Sequence, residues 1–412
     1  MKKLVIENIG PIKKAELDLK RINVVIGPQS AGKSCILKIA CFCAWAEKRV
    51  LLEQGKNGFA NFDYVLENLV VFHKLDGYIH SGSLVEYQSD FVHFTCDFDS
   101  KKFDLTISEN CWEYKRGKIS YIPSERNLVA AIPNWFEVKF GNTNIRNFIS
   151  DWNGVRGMYN SGNMLDVLNL NVKYFFDNES SRDYVLLKDG VKLNLTNASS
   201  GLQSVIPMWA YLNFLFNEQY SAKLPSNIVS DSENDTVLFH IYEKRYKKTL
   251  MQITADEERF FGKIGRLTLP FISKEDHFEC KRLYENFTST AYSDVYLEEP
   301  EQNLFPQTQV ELVQSLLKNT SRHLDGLFVA THSPYLLYAI NNCMLGYMVK
   351  DKMQEEIPTD SLVNPCDVAA WELRDGTVVS LQDEDGLIRG NYFDRVMKRV
   401  MNEFSNYASY YG

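Results

Sequence analysis

Apolar and polar residues alternate along the first stretch of the chain, in Leu4-Val5-Ile6, Asn8-Ile9-Gly10-Pro11-Ile12 and Ala15-Glu16-Leu17-Asp18-Leu19, which predicts strands around a turn. Ile22-Asn23-Val24-Val25-Ile26 is instead a nearly continuous apolar run, the pattern of a strand buried on both faces. The period then changes. From Cys35 to Lys48 the content is that of a helix, which is expected to end near Gly55. Residues 59–80 carry Phe62, Val65, Leu66, Leu69, Val70 and His73 at helical spacing. Alternation returns over 84–120, as in Val92-His93-Phe94-Thr95-Cys96-Asp97-Phe98, and predicts an antiparallel β-region. Residues 135–175 are mixed and read as helical.

A turn at Lys188-Asp189-Gly190 separates two short apolar runs, Tyr184–Leu187 and Val191–Leu195, and predicts a hairpin. An apolar helix follows, through Phe216. Residues 218–290 are polar and charge-rich without sustained heptads, and read as an inserted helical arm or lid. Buried strands then recur over Asp294–Glu301, ending in acids, and Gly326–Pro334, ending at a polar turn, with an amphipathic helix over Gln307–Leu317 between them. Met344–Val349 and Trp371-Glu372-Leu373 read as late strands, and Tyr392–Phe404 as a closing helix. The pattern predicts an α/β protein with a mixed central sheet, an antiparallel β-subdomain and a helical insertion. Its parts are 1–217, 218–290 and 291–412.

Composition narrows the class. Of the 412 residues 45% are hydrophobic and 24% charged, ordinary values for a soluble globular protein. A net charge of −8 confines any nucleic-acid contact to a local patch, for which Lys244, Arg245, Lys247 and Lys248 are one candidate and otherwise a solvated helix face. The N-terminus has too short an apolar run for a signal peptide, and no run is long enough for a membrane span. The 8 cysteines form no C-x-x-C pair and read as reduced core thiols of a cytoplasmic protein.

The chemistry centres on Gly27-Pro28-Gln29-Ser30-Ala31-Gly32-Lys33-Ser34, which fits the Walker A pattern G-x-x-x-x-G-K-[ST] between a buried strand and a helix. Gly27 and Gly32 let backbone N–H groups turn toward a phosphate, Lys33 reaches the terminal phosphates of ATP, and Ser34 ligates Mg²⁺. Glu298 and Glu299 end an apolar strand. That places them to hold a metal's hydration shell and to orient water, although acids at a strand end also simply face solvent. His332 ends the next apolar strand, where an imidazole can donate to a γ-phosphate oxygen. Ser200-Gly201, with Gln203, opens a helix as either a second anion cradle or an ordinary cap by Ser199 or Ser200.

The order of these motifs is that of the ABC-type ATPases. The chain resembles the ABC-type AAA ATPases of the overcoming-lysogenization-defect (OLD) group, related to RecF and the SMC heads. The resemblance rests on Glu7–Ile12, Gly27–Ser34, Ser199-Ser200-Gly201-Leu202-Gln203, Leu297–Pro306 and Ala330-Thr331-His332-Ser333-Pro334. It implies an ABC-type P-loop NTPase head in which Glu298 acts through Mg²⁺, Glu299 is the catalytic base and His332 senses the γ-phosphate. Ser200 and Gly201 would then contact ATP held by a second subunit, which implies a homodimer, or a higher assembly, closed on ATP. The chain departs from the pattern at Leu202, where a second Gly is common, and at Glu298, where many relatives carry Asp. Gln88 and Tyr121–Asn127 are alternative Q-loops. Arg126 suits either a phosphate or a structural ion pair.

The 80 residues after His332 leave little room for the Toprim nuclease domain of OLD nucleases, and Asp383-Glu384-Asp385-Gly386 reads as an exposed turn. The resemblance therefore implies an ATPase that gates a separate effector, a nuclease or a toxin, in bacterial anti-phage defence. The alternative is a RecF-like ATP-dependent clamp on DNA.

Overall fold

Lys2–Ile9 (β1) and Ile12–Leu19 (β2) form an antiparallel hairpin whose last pair, Ile9↔Ile12, closes on Gly10-Pro11. Leu4, Ile6, Ile9, Ile12, Ala15 and Leu17 turn inward, while Lys3, Lys14, Glu16 and Asp18 do not. Ile22–Ile26 (β3) is buried along its whole length. Ile22, Val24 and Ile26 face one apolar layer and Val25 the other, as a strand inside a sheet covered on both sides requires. The computed structural model describes residues 2–132, 134–220, 231–246, 260–353 and 359–411.

The strands that follow are Ile79–Gln88 (β4), Val92–Asp97 (β5), Lys102–Ile107 (β6) and Gly117–Ile122 (β7). Leu165–Asp166 (β8), Lys173–Asp177 (β9), Arg182–Leu186 (β10) and Lys192–Asn194 (β11) build a separate four-stranded antiparallel sheet. Phe260–Ile264 (β12) and Leu267–Phe271 (β13) pair only with each other. Tyr292–Glu298 (β14), Gly326–Ala330 (β15), Val368–Arg374 (β16) and Thr377–Ser380 (β17) complete the set.

The large sheet has eleven strands in the order β6-β5-β4-β1-β2-β17-β16-β3-β15-β14-β7. Its two halves differ in kind. From β6 to β2 every neighbour is antiparallel. From β16 to β7 all pairs are parallel, so five strands deliver their C-terminal ends to one edge. Helix Lys33–Glu53 covers one face, and helices Asn144–Arg156, Ser200–Phe216, Pro306–Thr320 and Pro334–Val349 supply the other layer.

Several expectations change. Alternation over 84–120 is antiparallel only through β6, because residues 117–120 belong to β7, which crosses to the far edge and pairs parallel with β14. Residues 59–80 hold only a 3₁₀ turn at Asn57–Ala60, one α turn at Phe62–Val65 and a wide π turn at Leu66–Val71, before β4 starts at Ile79. Within 135–175 the α-helix is confined to Asn144–Arg156, and the small sheet takes the end. Met344–Val349 is not a strand but the last part of helix Pro334–Val349. Ser333 caps that helix at its start, and the helix runs through Asn341, Asn342 and Gly346 without a break.

The 218–290 segment holds a β-hairpin, β12–β13, beside helices Asp231–Tyr246 and Lys274–Thr288. Leu238, Ile241, Tyr242 and Phe271 join the apolar layer of the Lys33–Glu53 helix, so this part packs on the body instead of projecting as an arm. Lys244 stacks on Trp112 and Arg245 pairs with Asp276, while Lys247 and Lys248 lie outside the described residues. Seven cysteines are buried free thiols, and Cys366 is exposed.

Candidate functional site

The loop after β3 takes backbone angles that only glycine adopts easily. Gly27 has φ 151° and Gly32 φ 108°. A Cβ on Gly32 would stand 2.9 Å from the Pro11 ring, and one on Gly27 would stand 3.1 Å from the Leu373 carbonyl oxygen. The β1–β2 turn and β16 therefore brace the loop from both sides, which gives the Gly10-Pro11-Ile12 segment a mechanical reason to accompany it. Lys33 opens the helix and is 5% exposed, with its ammonium donating to the Gly27 and Pro28 carbonyls at 2.9 and 2.7 Å. Burial pulls that ammonium down to about 8, against the upward pull of Glu299 and Glu301.

Parallel pairing brings the other groups to the same edge. Ala330 is in register with both Val25 and Glu298, so β15 lies between the phosphate loop and the acids. Glu298 is buried, and its Oε2 accepts from the Ser124 N–H at 3.1 Å. At Glu299 the backbone turns to φ 41°, a left-handed conformation that costs a non-glycine residue energy and is found where surrounding structure enforces it.

Arg126 does the enforcing. Fully buried, it donates to the carbonyls of Glu298 at 2.7 Å, Glu299 at 2.6 Å and Pro123 at 3.2 Å, and burial pulls its guanidinium down to about 10. The Glu299 N–H donates to the Ala330 carbonyl. The bent corner turns the Glu299 carboxylate toward His332, Oε1 to Nε2 3.5 Å. His332 is fixed from its backbone, whose N–H donates to Glu301 Oε1 at 2.6 Å. Burial, then the Lys33 charge, lower its imidazole against the pull of Glu299. Neutral imidazole offers one N–H and one lone pair, the form that can donate to an anion without adding charge.

A cavity of about 300 Å³ collects Gln29, Ser30, Gly32, Lys33, Ser34, Glu299 and His332. Pro28 contributes its carbonyl to Lys33, and the Ala31 N–H turns back to the Pro28 carbonyl at 3.4 Å. The donor set fits a nucleoside triphosphate with a magnesium ion. Two glycines leave room where a Cβ would intrude, a cation stands beside them, and the Ser34 hydroxyl is a hard oxygen donor of the kind Mg²⁺ takes, while the Glu298 carboxylate, another such donor, is buried and does not line the cavity. Lys38, Leu75 and Tyr78 also line the cavity and were not singled out in the sequence. Tyr78 is 40% exposed and lies over Gly10, whose N–H donates to the Tyr78 carbonyl at 2.7 Å. The signal for it was an aromatic beside Gly77 just before a strand, too weak to read alone.

Ser200, Gly201 and Gln203 are elsewhere. They do not line that cavity. Ser199 is the helix cap, its Oγ accepting from the Leu202 N–H at 3.4 Å, and Ser200 is exposed in the first turn. The Gln203 amide is spent on its own loop, donating to the Thr196 carbonyl at 2.8 Å and the Leu195 carbonyl at 3.3 Å. A Cβ on Gly201 would stand 2.9 Å from the Asn303 carbonyl oxygen, so the helix start presses on the turn that follows Glu299. Gln88 ends β4 opposite Lys3, at the far end of β1 from the Gly10-Pro11 turn, and is not in the cavity. Of the two Q-loop candidates only Tyr121–Asn127 reaches the acids. The carboxylate of Asp383 accepts from Asp385 and Leu387 N–H groups and pairs with Arg389, as a turn residue does.

The parallel order β16-β3-β15-β14-β7, with the phosphate loop after β3, paired acids after β14 and an antiparallel wing, is the mixed α/β architecture of a P-loop NTPase head. No protein-family model and no curated protein sequence matches the chain. Solved structures similar to it include the SMC head domain from Thermotoga maritima, at 9% identity over 93% of this chain and 98% of that one, with a TM-score of 0.39. A dimeric bacterial ABC transporter cassette is similar at 10% identity over 92% of this chain and 97% of that one, with a TM-score of 0.31. The recombination mediator protein RecF is similar at 11% identity, over 92% and 97%, with a TM-score of 0.29. None of these scores bears on what the chain does. Among the described residues no helix is long and apolar enough to cross a membrane.

Proposed function

We propose that the chain hydrolyses ATP with Mg²⁺, closes head to head with a second copy, and serves as the sensor subunit of an OLD-like bacterial anti-phage system that gates a separate effector. The observation that carries the enzymatic part is the cavity itself, where Lys33, Ser34, Glu299 and His332 meet with the two side chains of the last pair 3.5 Å apart. In this reading Lys33 holds the terminal phosphates, Glu299 takes a proton from the attacking water, and His332 donates to the γ-phosphate. The magnesium ion would supply charge neutralisation at the phosphates, held through Ser34 and Glu298.

Support for a dimer is the separation of Ser200 and Gly201 from the cavity. Ser200 is exposed in the first turn of that helix, a place that suits a phosphate brought by another molecule. The gating role rests on the motif resemblance. Of the basic patch that the DNA-clamp alternative would use, Lys244 stacks on Trp112 and Arg245 pairs with Asp276. The test is the native mass and hydrolysis rate of the wild type and Glu299→Gln with and without ATP and Mg²⁺, purified with any co-eluting chain. Absent hydrolysis, or hydrolysis unchanged by Lys33→Ala, overturns the enzyme. An ATP-independent monomer overturns the dimer. Salt-sensitive, ATP-dependent binding to duplex DNA without a protein partner restores the clamp.

A further inference from the structure

A second cavity, about 230 Å³, lies further along the Walker helix, between that helix and β7. An engineered protein cavity of about 150 Å³ takes benzene, so this one has room for more than a single six-membered ring. Its walls are largely aromatic, with Phe42 and Trp45 from the helix, Phe72 from the segment after the π turn and Tyr121 from β7, and Asn68 and Lys118 are polar members of the lining. Phe42 and Trp45 lie with ring centroids 5.9 Å apart, and the His73 ring packs edge-on against Phe72 and Tyr121 at 5.0 and 5.5 Å.

The polar groups are what make this more than a packing gap. His73 is 2% exposed and lines the cavity, and its Nδ1 has no hydrogen-bond partner. A buried polar atom left unpaired costs about 1–3 kcal/mol, and such atoms call for an explanation when a cavity opens beside them. Burial pulls the imidazole down to about 3, so the ring stays neutral and offers one N–H and one lone pair. Asn147 at the rim is exposed, and its amide nitrogen donates to Asp151 Oδ2 at 3.2 Å, which leaves the amide oxygen as an acceptor. The π turn Leu66–Val71 sets this up by carrying i to i+5 bonds such as Phe72 N–H to the Glu67 carbonyl at 2.9 Å, a widened helix often found at binding sites.

We propose that this cavity binds a small planar heteroaromatic with both donor and acceptor edges, of the size of a free nucleobase, at a site distinct from the nucleotide cavity. The aromatic walls take the ring faces, and His73 with Asn147 reads the edge, the division of labour by which proteins hold unstacked bases. The segment that places Phe72 and His73 here also places Leu75 and Tyr78 in the nucleotide cavity.

The test is calorimetric titration of adenine, guanine, cytosine and uracil into the full chain without ATP, so its result does not depend on hydrolysis. At least one base binds with one-to-one stoichiometry. His73→Phe, which keeps the ring and removes the unpaired nitrogen, weakens that binding at least tenfold, and so does Asn147→Leu at the exposed rim. Tyr78→Ala, in the nucleotide cavity, leaves it unchanged. Failure of all four bases to bind overturns the site and leaves a water-filled space. Binding that survives His73→Phe but is lost in Tyr78→Ala overturns it as well, by moving the base to the nucleotide cavity.

Discussion

The two candidate phosphate-binding regions of this molecule are built differently. Around Lys33 every group is braced, with Pro11 against Gly32, Leu373 against Gly27, and Arg126 holding the carbonyls of Glu298 and Glu299. Around Ser200 the helix start is exposed, and the nearby amide of Gln203 is committed to its own loop. The first region is preorganised inside one chain, which is what transition-state stabilisation needs. The second offers an exposed Ser200 at a helix start whose Leu202 N–H is already capped by Ser199. In the proposed function a second copy completes it.

The largest effect that sharpens this contrast is at the braced region. Glu299→Gln and Lys33→Ala each lower ATP hydrolysis by about 10²–10⁴-fold, and only Glu299→Gln retains a nucleotide-dependent doubling of native mass. Residual hydrolysis near the wild-type rate in either variant would remove the catalytic assignment. At the exposed region, Gly201→Val pushes a side chain into the Asn303 carbonyl and lowers hydrolysis on the order of a hundredfold. A single copy of that variant still binds nucleotide. Mixing it with Lys33→Ala protein restores turnover, because a mixed dimer keeps one intact composite site. Failure of the mixture to hydrolyse ATP would put both regions to work in one chain.

Arg126 is the third test. Arg126→Ala strands buried carbonyls and releases the strained turn, which lowers stability by about 3 kcal/mol, read as a reduced urea midpoint. Arg126→Lys keeps the charge yet lacks the fork that reaches two carbonyls, and it recovers less than half of the loss. A full rescue by lysine would mean that charge alone matters there. The smallest effect is with pH. The ammonium of Lys33 titrates near 8 in the free protein and is held charged by bound phosphate, so nucleotide affinity is greatest below pH 8. Above that it falls by up to about tenfold per pH unit, because binding must then take up a proton. Affinities measured from pH 7 to 9.5 check the slope, and Lys33→Arg flattens it.

The Walker loop, the acid-ended strand and the His-ended strand were legible because each couples an apolar run to a polar end within one short segment. The hairpin at Lys188-Asp189-Gly190 was legible for the same reason, and Gly190 takes φ 84° there. The failures have a common cause. Met344–Val349 is apolar without a period that separates strand from helix, and only its continuity with the Ser333-capped helix decides it. β7 alternates like its neighbours in sequence but pairs with β14, 170 or more positions away, a choice made by burial on both faces. Arg126 was readable as a phosphate ligand or an ion-pair partner, and the structure gives its guanidinium other partners. It satisfies main-chain carbonyls that converge only when β7 and β14 lie side by side.

By itself, then, the sequence determined which residues can meet a phosphate, since glycine torsions, a lysine and strand-end acids are local chemistry. The tertiary structure alone decided which of them share a cavity. Parallel pairing aligns five strand ends on one edge, and no local pattern records which strand will be whose neighbour.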